Sequence, residues 1–182
     1  MKTKILLTIA FALAASTLSA EDARWWKGNL HTHSLWSDGD DYPEMIAGWY
    51  RSNGYHFLAI SDHNVLAEGQ RWIHREKNAG GQQAFDKYLK HFGDDWVEHK
   101  VVKGVPQVRL KTYAEYRPKM AVPGSFLLME SEEISDQFQG LPIHINVTNI
   151  GKQIPPQGGA GVAATMQKNI DAVLAQRKAT GQ

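Results

Sequence analysis

The chain has 182 residues, with 20 Lys+Arg against 19 Asp+Glu, 42% hydrophobic residues and no cysteine. That length suits one domain and the apolar content is enough for a core, so stability has to come from burial rather than from disulfides. The near-neutral balance offers no basic patch for sequence-independent nucleic-acid binding, and without thiols any metal site must use nitrogen and oxygen ligands.

The chain opens with Lys2 and Lys4, an apolar stretch from Ile5 to Ala15, and small residues through Ala20 ahead of Glu21 and Asp22. This is the layout of a secretory signal peptide, and the stretch is shorter than the ~20 residues that span a bilayer. It predicts cleavage after Ala20, a leader over 1–20, one domain over 21–182, and a secreted or periplasmic protein that is free of the membrane once cleaved.

A first strand is expected from Trp25 to Leu30, running into His31-Thr32-His33-Ser34-Leu35-Trp36-Ser37-Asp38-Gly39. In extended chain, residues two apart point to the same side, so His31 and His33 can offer two imidazoles to one ion. Asp38 follows after a turn and can reach the same ion or a neighbouring one. Asp41-Tyr42-Pro43-Glu44 reads as a helix start with Asp41 as its cap, followed by Met45, Ile46, Trp49 and Tyr50 at helical spacing and by Gly54 as a stop. Phe57 to Ile60 is an unbroken apolar run, the pattern of a strand buried on both faces, and it ends in Ser61-Asp62-His63-Asn64.

The segment from Val65 to Ser125 reads as an elaborated connection. Phe85, Leu89 and Phe92 predict a short amphipathic helix, while Gly80, Gly81, Gly104, Pro106, Pro118, Pro123 and Gly124 break the rest into short pieces. Phe126 to Met129 is a further strand, leading into Glu130-Ser131-Glu132-Glu133-Ile134-Ser135. In the alternating run Ile143 to Thr148, Ile143, Ile145 and Val147 face one way and His144 the other. A last helix is expected with Val162, Met166, Ile170, Val173 and Leu174 on its buried face. Strand, helix, strand, crossover, strand is the grammar of an α/β domain, whose sites gather at the carboxyl ends of its strands.

The candidate ligands His31, His33, Asp38, His63, Glu133 and His144 all fall at or just past strand ends. Imidazole and carboxylate suit zinc, manganese or iron, and six ligands exceed the need of one tetrahedral ion, so at least two divalent ions are expected. Paired ions are a known device for cleaving phosphate esters. Asp62 either orients an imidazole from behind or caps the turn after it. Glu132 should point away from Glu133, and Glu130 is a weaker candidate. His56, His74, His91 and His99 read as ordinary histidines. Arg71, Arg75, Arg109, Arg117 and Lys119 are cations that could meet an anionic substrate, with solvated surface charge as the default. Trp25, Trp26, Trp36 and Trp49 are expected to pack in the core or at its rim. The adjacent Ser61, Asp62 and His63 cannot form a hydrolase triad, which needs side chains converging from separate segments.

Four segments resemble the motifs of the polymerase and histidinol phosphatase (PHP) domain family: GNLHTHSLWSDG from Gly28 to Gly39, FLAISDHN from Phe57 to Asn64, SEEIS from Ser131 to Ser135, and IHI around His144. The resemblance covers about Trp25 to Thr148, apart from a long insertion between the second and third motifs. It implies an α/β fold, a distorted (β/α)7 barrel, with two or three metal ions. It also implies hydrolysis of phosphate esters by a metal-bound hydroxide, on a nucleotide, another phosphorylated small molecule, or nucleic acid cut 5′ to 3′. By this likeness His31 and His33 share an ion with Glu133, Asp38 and His63 hold a second, Glu133 bridges, and His144 serves a third position. The family pattern continues with a further histidine and an Asp-X-His pair, which are not found after His144, so the likeness implies an amino-terminal part of the barrel. The rival expectations are a metal-dependent amide or lactone hydrolase and a catalytically incomplete metal-binding fragment.

Overall fold

The apolar run Phe57–Ile60 occupies the interior of a four-stranded sheet in the computed structural model, which describes residues 24–181. The expected leader lies outside the described residues, and among those described no helix is long and apolar enough to cross a membrane. The sheet contains β1 (Gly28–Asn29), β2 (Phe57–His63), β6 (Leu127–Phe138) and β7 (Leu141–Thr148), in the order β1-β2-β6-β7. β1 and β6 run parallel to β2, and β7 runs antiparallel to β6. The whole is a mixed α/β domain whose sheet curls like part of a barrel, with four helices among the described residues: α1 (Pro43–Ser52), α2 (Gly81–Phe92), α3 (Tyr113–Met120) and α4 (Val162–Thr180).

Strand β1 is shorter than the expected Trp25–Leu30. The ring of Phe57 lies where a Cβ on Gly28 would sit, so close pairing is possible only at this glycine, and after Asn29 the chain leaves the ladder. The Asn29 side chain steers that departure by accepting from the His31 amide and donating to the His31 carbonyl. Helix α1 starts on Pro43 as expected, but its cap is Tyr42 and it has no side-chain cap bond. Asp41 instead accepts from the Tyr42 amide and pairs with Lys87 on α2.

The connection between β2 and β6 is more ordered than its sequence implied. It contains a second, antiparallel sheet of β3 (Arg71–His74), β4 (His99–Val102) and β5 (Val105–Leu110), in the order β3-β5-β4. Lys103 and Gly104 both adopt positive φ (50° and 78°), which makes Gly104 the second residue of a two-residue hairpin turn. Pro118 does not break the chain but sits inside α3, which is started by a capping box: the Glu115 amide donates to the Thr112 hydroxyl, and the Glu115 carboxylate accepts from the Thr112 amide.

Three apolar clusters join these parts. Leu35, Trp36, Tyr42, Phe85, Tyr88, Val108 and Leu110 lock α2 and the second sheet under the loop after β1. Ala47, Leu58, Ile60, Tyr116, Met120 and Leu128 pack α1 and α3 against β2 and β6. Ile134, Val147, Ile150 and Ile154 fill the space beneath α4. The outward stripe of α4 reverses the expected orientation. Val162, Met166, Ile170 and Leu174 are exposed, while Thr165 and Asn169 are fully buried and only Val173 of the five packs against the core. Asn169 governs this choice, donating to Asp136 and accepting from the Gln157 amide, so the helix turns a hydrogen-bonding face inward.

Arg109 on β5 holds Glu115 of α3 and Glu98, the residue before β4, and Lys111 adds a bond to Glu98. These cations hold the Glu98 carboxyl at about 2, and Arg109, with the Thr112 donors, holds Glu115 at about 2. Carboxyls depressed on folding stabilise the fold above their ordinary range near 4.5, and that stability is lost as pH falls toward 2. Both carboxylates are partly exposed, so salt screens the effect. Thermal unfolding should therefore show wild-type protein losing stability faster than Arg109→Met from about pH 5 to about pH 2.5, with the gap shrinking in high salt.

Candidate metal centre

The loop from His31 to Asp40 belongs to no strand, yet it is fixed at many points. The Ser61 amide donates to the Thr32 carbonyl at 2.8 Å, which keeps the loop beside β2 past the end of the ladder. The Ser34 carbonyl accepts from the amides of Ser37 and Gly39, both at 3.0 Å, closing a tight turn that sets Asp38 back toward His33. Leu35 and Trp36 plug the turn into the core, and the Trp36 indole donates to the Lys111 carbonyl at 3.1 Å. Trp36 is 2% exposed, so it is a structural anchor rather than a stacking platform.

Sheet register supplies the remaining members. The parallel pairing of β2 with β6 places His63 beside Glu133, and the antiparallel pairing of β6 with β7 sets Ser135 opposite His144. Glu133, Ser135 and His144 share a face by strand alternation. Asn64, at φ 49°, clamps the end of β2 to β6 by donating to the Ser135 carbonyl at 2.9 Å and accepting from the Ser135 amide at 2.8 Å.

All six expected ligand residues meet in one cluster. Nε2 of His33 lies 2.9 Å from Glu133 Oε2, Nδ1 of His63 lies 3.1 Å from it, and Nε2 of His31 lies 3.4 Å from it. The other carboxylate oxygen, Oε1, is 3.2 Å from His144 Nδ1. Asp38 reaches His33 Nδ1 at 2.7 Å and His63 Nε2 at 3.5 Å. Three sets of ligand atoms are each mutually within 4.8 Å: His31, His33 and Glu133; His33, Asp38 and His63; and His63, Glu133 and His144. Each of these sets can hold a cation. The donor set fits one, because Glu133 Oε2 is buried without a hydrogen-bond donor although three imidazole nitrogens face it. His33 holds the Asp38 carboxyl below its ordinary range, against a smaller opposing effect of burial, and the charge of His63 adds to the lowering.

Asp62 does neither thing expected of it. Its carboxylate touches no imidazole and caps no following turn; it reaches across to the loop and accepts from the Ser34 amide at 2.8 Å, the Ser34 hydroxyl at 2.7 Å and the Ser37 hydroxyl at 2.6 Å. Burial pushes its carboxyl up while these three donors pull it down. Glu132 faces away from the cluster and accepts from the Ile154 amide at 2.9 Å, and burial pushes its carboxyl up to about 7. Glu130 also stays outside the three sets.

Ser135 is a site residue the sequence did not flag: its hydroxyl lies 2.5 Å from His63 Nδ1. Its position two places after Glu133 on a strand was the available signal. His56, His74, His91 and His99 all lie outside the three sets. His56 accepts from the Lys27 amide, His74 from the amides of Glu76 and Lys77, and His99 pairs with Asp94. Among the cations, Arg109 is consumed by Glu98 and Glu115, and Arg75 pairs with Glu76, whereas Arg71 lies over the Trp36 ring at 5.5 Å. Trp25 is 99% exposed, contrary to the expected packing, whereas Trp26 and Trp49 are about half exposed at the rim, Trp26 edge-on to His56 and Trp49 against Tyr50 and Tyr55. Trp25 and Trp26 precede the short ladder, and Trp49 lies off the α1 face that buries Glu44 and Ala47.

Compared with protein families, curated proteins and solved structures, the chain matches none. What the cluster can do follows from its donors, their spacing and their access to solvent, which rises from buried Glu133 to exposed Asp38.

Gly39 allows the turn to close. A Cβ there would lie 2.5 Å from the carbonyl carbon and oxygen of His33 and 2.6 Å from the Ser34 nitrogen, all backbone atoms with little freedom to move. Gly39→Ala should cost about 1–3 kcal/mol in urea denaturation, the usual penalty of overpacking, and should weaken any cation binding that uses Asp38.

Proposed function

We propose that the chain is a metal-dependent phosphoesterase of the PHP kind, built on part of a distorted (β/α)7 barrel and exported by its leader. The observation that carries this reading is the convergence of His31, His33, Asp38, His63 and His144 in one cluster with the buried carboxylate of Glu133, whose Oε2 faces three imidazoles and has no hydrogen-bond donor among the described residues. The motif likeness points to the same reading, since its segments are the ones that supply these residues.

Two or three divalent ions, zinc, manganese or iron, would supply the positive charge that phosphate ester cleavage needs and would acidify a bound water. The chain's own residues do the holding. The two oxygens of Glu133 face different imidazoles, Oε2 toward His31, His33 and His63 and Oε1 toward His144, so one carboxylate serves two of the sets. His33 and His63 each belong to two sets as well, so an ion held in one set would bear on how the next is filled. The substrate is a phosphorylated small molecule or nucleotide, whose anionic group enters from the exposed side bearing Asp38 and His31.

Assays on nitrophenyl phosphates and nucleotides, before and after chelation, test this. Hydrolysis should vanish on chelation and return with added metal, and His33→Ala or Glu133→Gln should lower kcat/KM by at least ~100-fold with the circular dichroism spectrum unchanged. Full turnover by metal-free protein would overturn the reading.

A further inference from the structure

The three ligand sets are not held in place by the same means. His63, Glu133 and His144 stand on β2, β6 and β7, whose mutual positions are fixed by continuous backbone ladders. In the set of His33, Asp38 and His63, two members stand on the loop after β1, which no ladder holds. The loop's closest tie to β2 is one buried carboxylate, that of Asp62, which is 4% exposed.

Asp62 grips the loop at the two residues that matter most. Ser34 directly follows His33 and gives Asp62 both its amide and its hydroxyl, and Ser37 directly precedes Asp38 and gives its hydroxyl. Ser34 is itself fully buried, so its two bonds to Asp62 are shielded from water. Asp62 also immediately precedes His63, the third member of the same set. One side chain thus links the backbone carrying His33, the backbone carrying Asp38 and the strand end carrying His63, beside the backbone bonds of the Ser34 turn and of Ser61 to Thr32.

We infer that Asp62 is a positioning residue for the sets that draw on the loop, above all His33–Asp38–His63, so that losing it weakens cation binding there while the His63–Glu133–His144 set, held by the strand ladders, keeps its own. This rests on the metal-centre reading above and adds an order of dependence among its sites. The side chain acts through Ser34 and Ser37 and touches no ligand atom, which separates it from the ligands themselves.

The test uses the full chain, stripped of metal and titrated with Zn²⁺ against a chromophoric chelator, with Co²⁺ absorption as a second readout of ligand geometry. Wild-type protein should bind at least two equivalents. In Asp62→Asn one equivalent should weaken by ~10–100-fold while another keeps wild-type affinity. Ser34→Ala combined with Ser37→Ala, which keeps the carboxylate and removes its hydroxyl donors, should weaken the same equivalent. Wild-type affinities at every site in these variants, or equal weakening at every site, would overturn the inference. If Asp62→Asn does not fold, the serine double variant decides between the same outcomes. Wild-type protein that binds no Zn²⁺ would instead overturn the metal-centre reading, a result visible before any variant is made.

Discussion

A carboxylate placed where water cannot reach it must be compensated by its surroundings, and Glu133 sets that requirement for the whole domain. Burying an anion costs several kcal/mol unless charge or hydrogen bonds replace its hydration. Its neighbours on β6 do not provide this: Ser131 donates to the Met129 carbonyl, and Glu132 faces the other way. Compensation comes from imidazoles carried by β2, by β7 and by the loop after β1. Strand order, register and loop course can all be understood as the means of bringing those rings to the two oxygens of one carboxylate.

Two kinds of scaffold share the task. The sheet delivers His63, Glu133 and His144 by backbone pairing, which depends little on side-chain identity beyond the apolar runs that bury the strands. The loop delivers His31, His33 and Asp38 by specific bonds from Asn29, Asp62 and the Ser34 carbonyl, together with the Trp36 anchor. Loops hold functional groups well when a rigid frame fixes them at several points, as here. The second sheet belongs to this frame, because its Leu110 and Val108 close the cluster in which Trp36 is seated.

The sequence was most legible where a pattern was both local and chemical. The apolar Phe57–Ile60 run and the helix starting at Pro43 were readable from residue type and spacing, and the clustering of the six nitrogen and oxygen donors from their places at strand ends, with Glu133 picked over Glu132 by the motif likeness. Strands β3, β4 and β5 were hidden because they are short and β4 is exposed along its whole length, leaving no alternation to detect. Helix α3 was legible in principle, since Thr112-x-x-Glu115 is a capping signature, but Pro118 outweighed it. The α4 orientation could not be read from hydrophobicity at all, because it is decided by Asn169 bonding to Asp136, a polar contact between residues 33 positions apart. The role of Asp62 was missed for the same reason: its partners lie 25 and 28 positions away on a different segment.

The tight turn at Gln139 and Gly140, where both residues take positive φ, has a kinetic consequence. It makes β6 and β7 neighbours in sequence as well as in space, so Glu133 and His144 can meet through a hairpin that closes on the microsecond scale, roughly 1–10 μs. His63 must instead be brought to β6 across a separation of 72 positions, as its contact with Ser135 shows, and the entropy of closing that span falls on a later step. Chain entropy therefore favours pairing of β6 with β7 over the longer closure that brings β2 and its attached loop to the cluster.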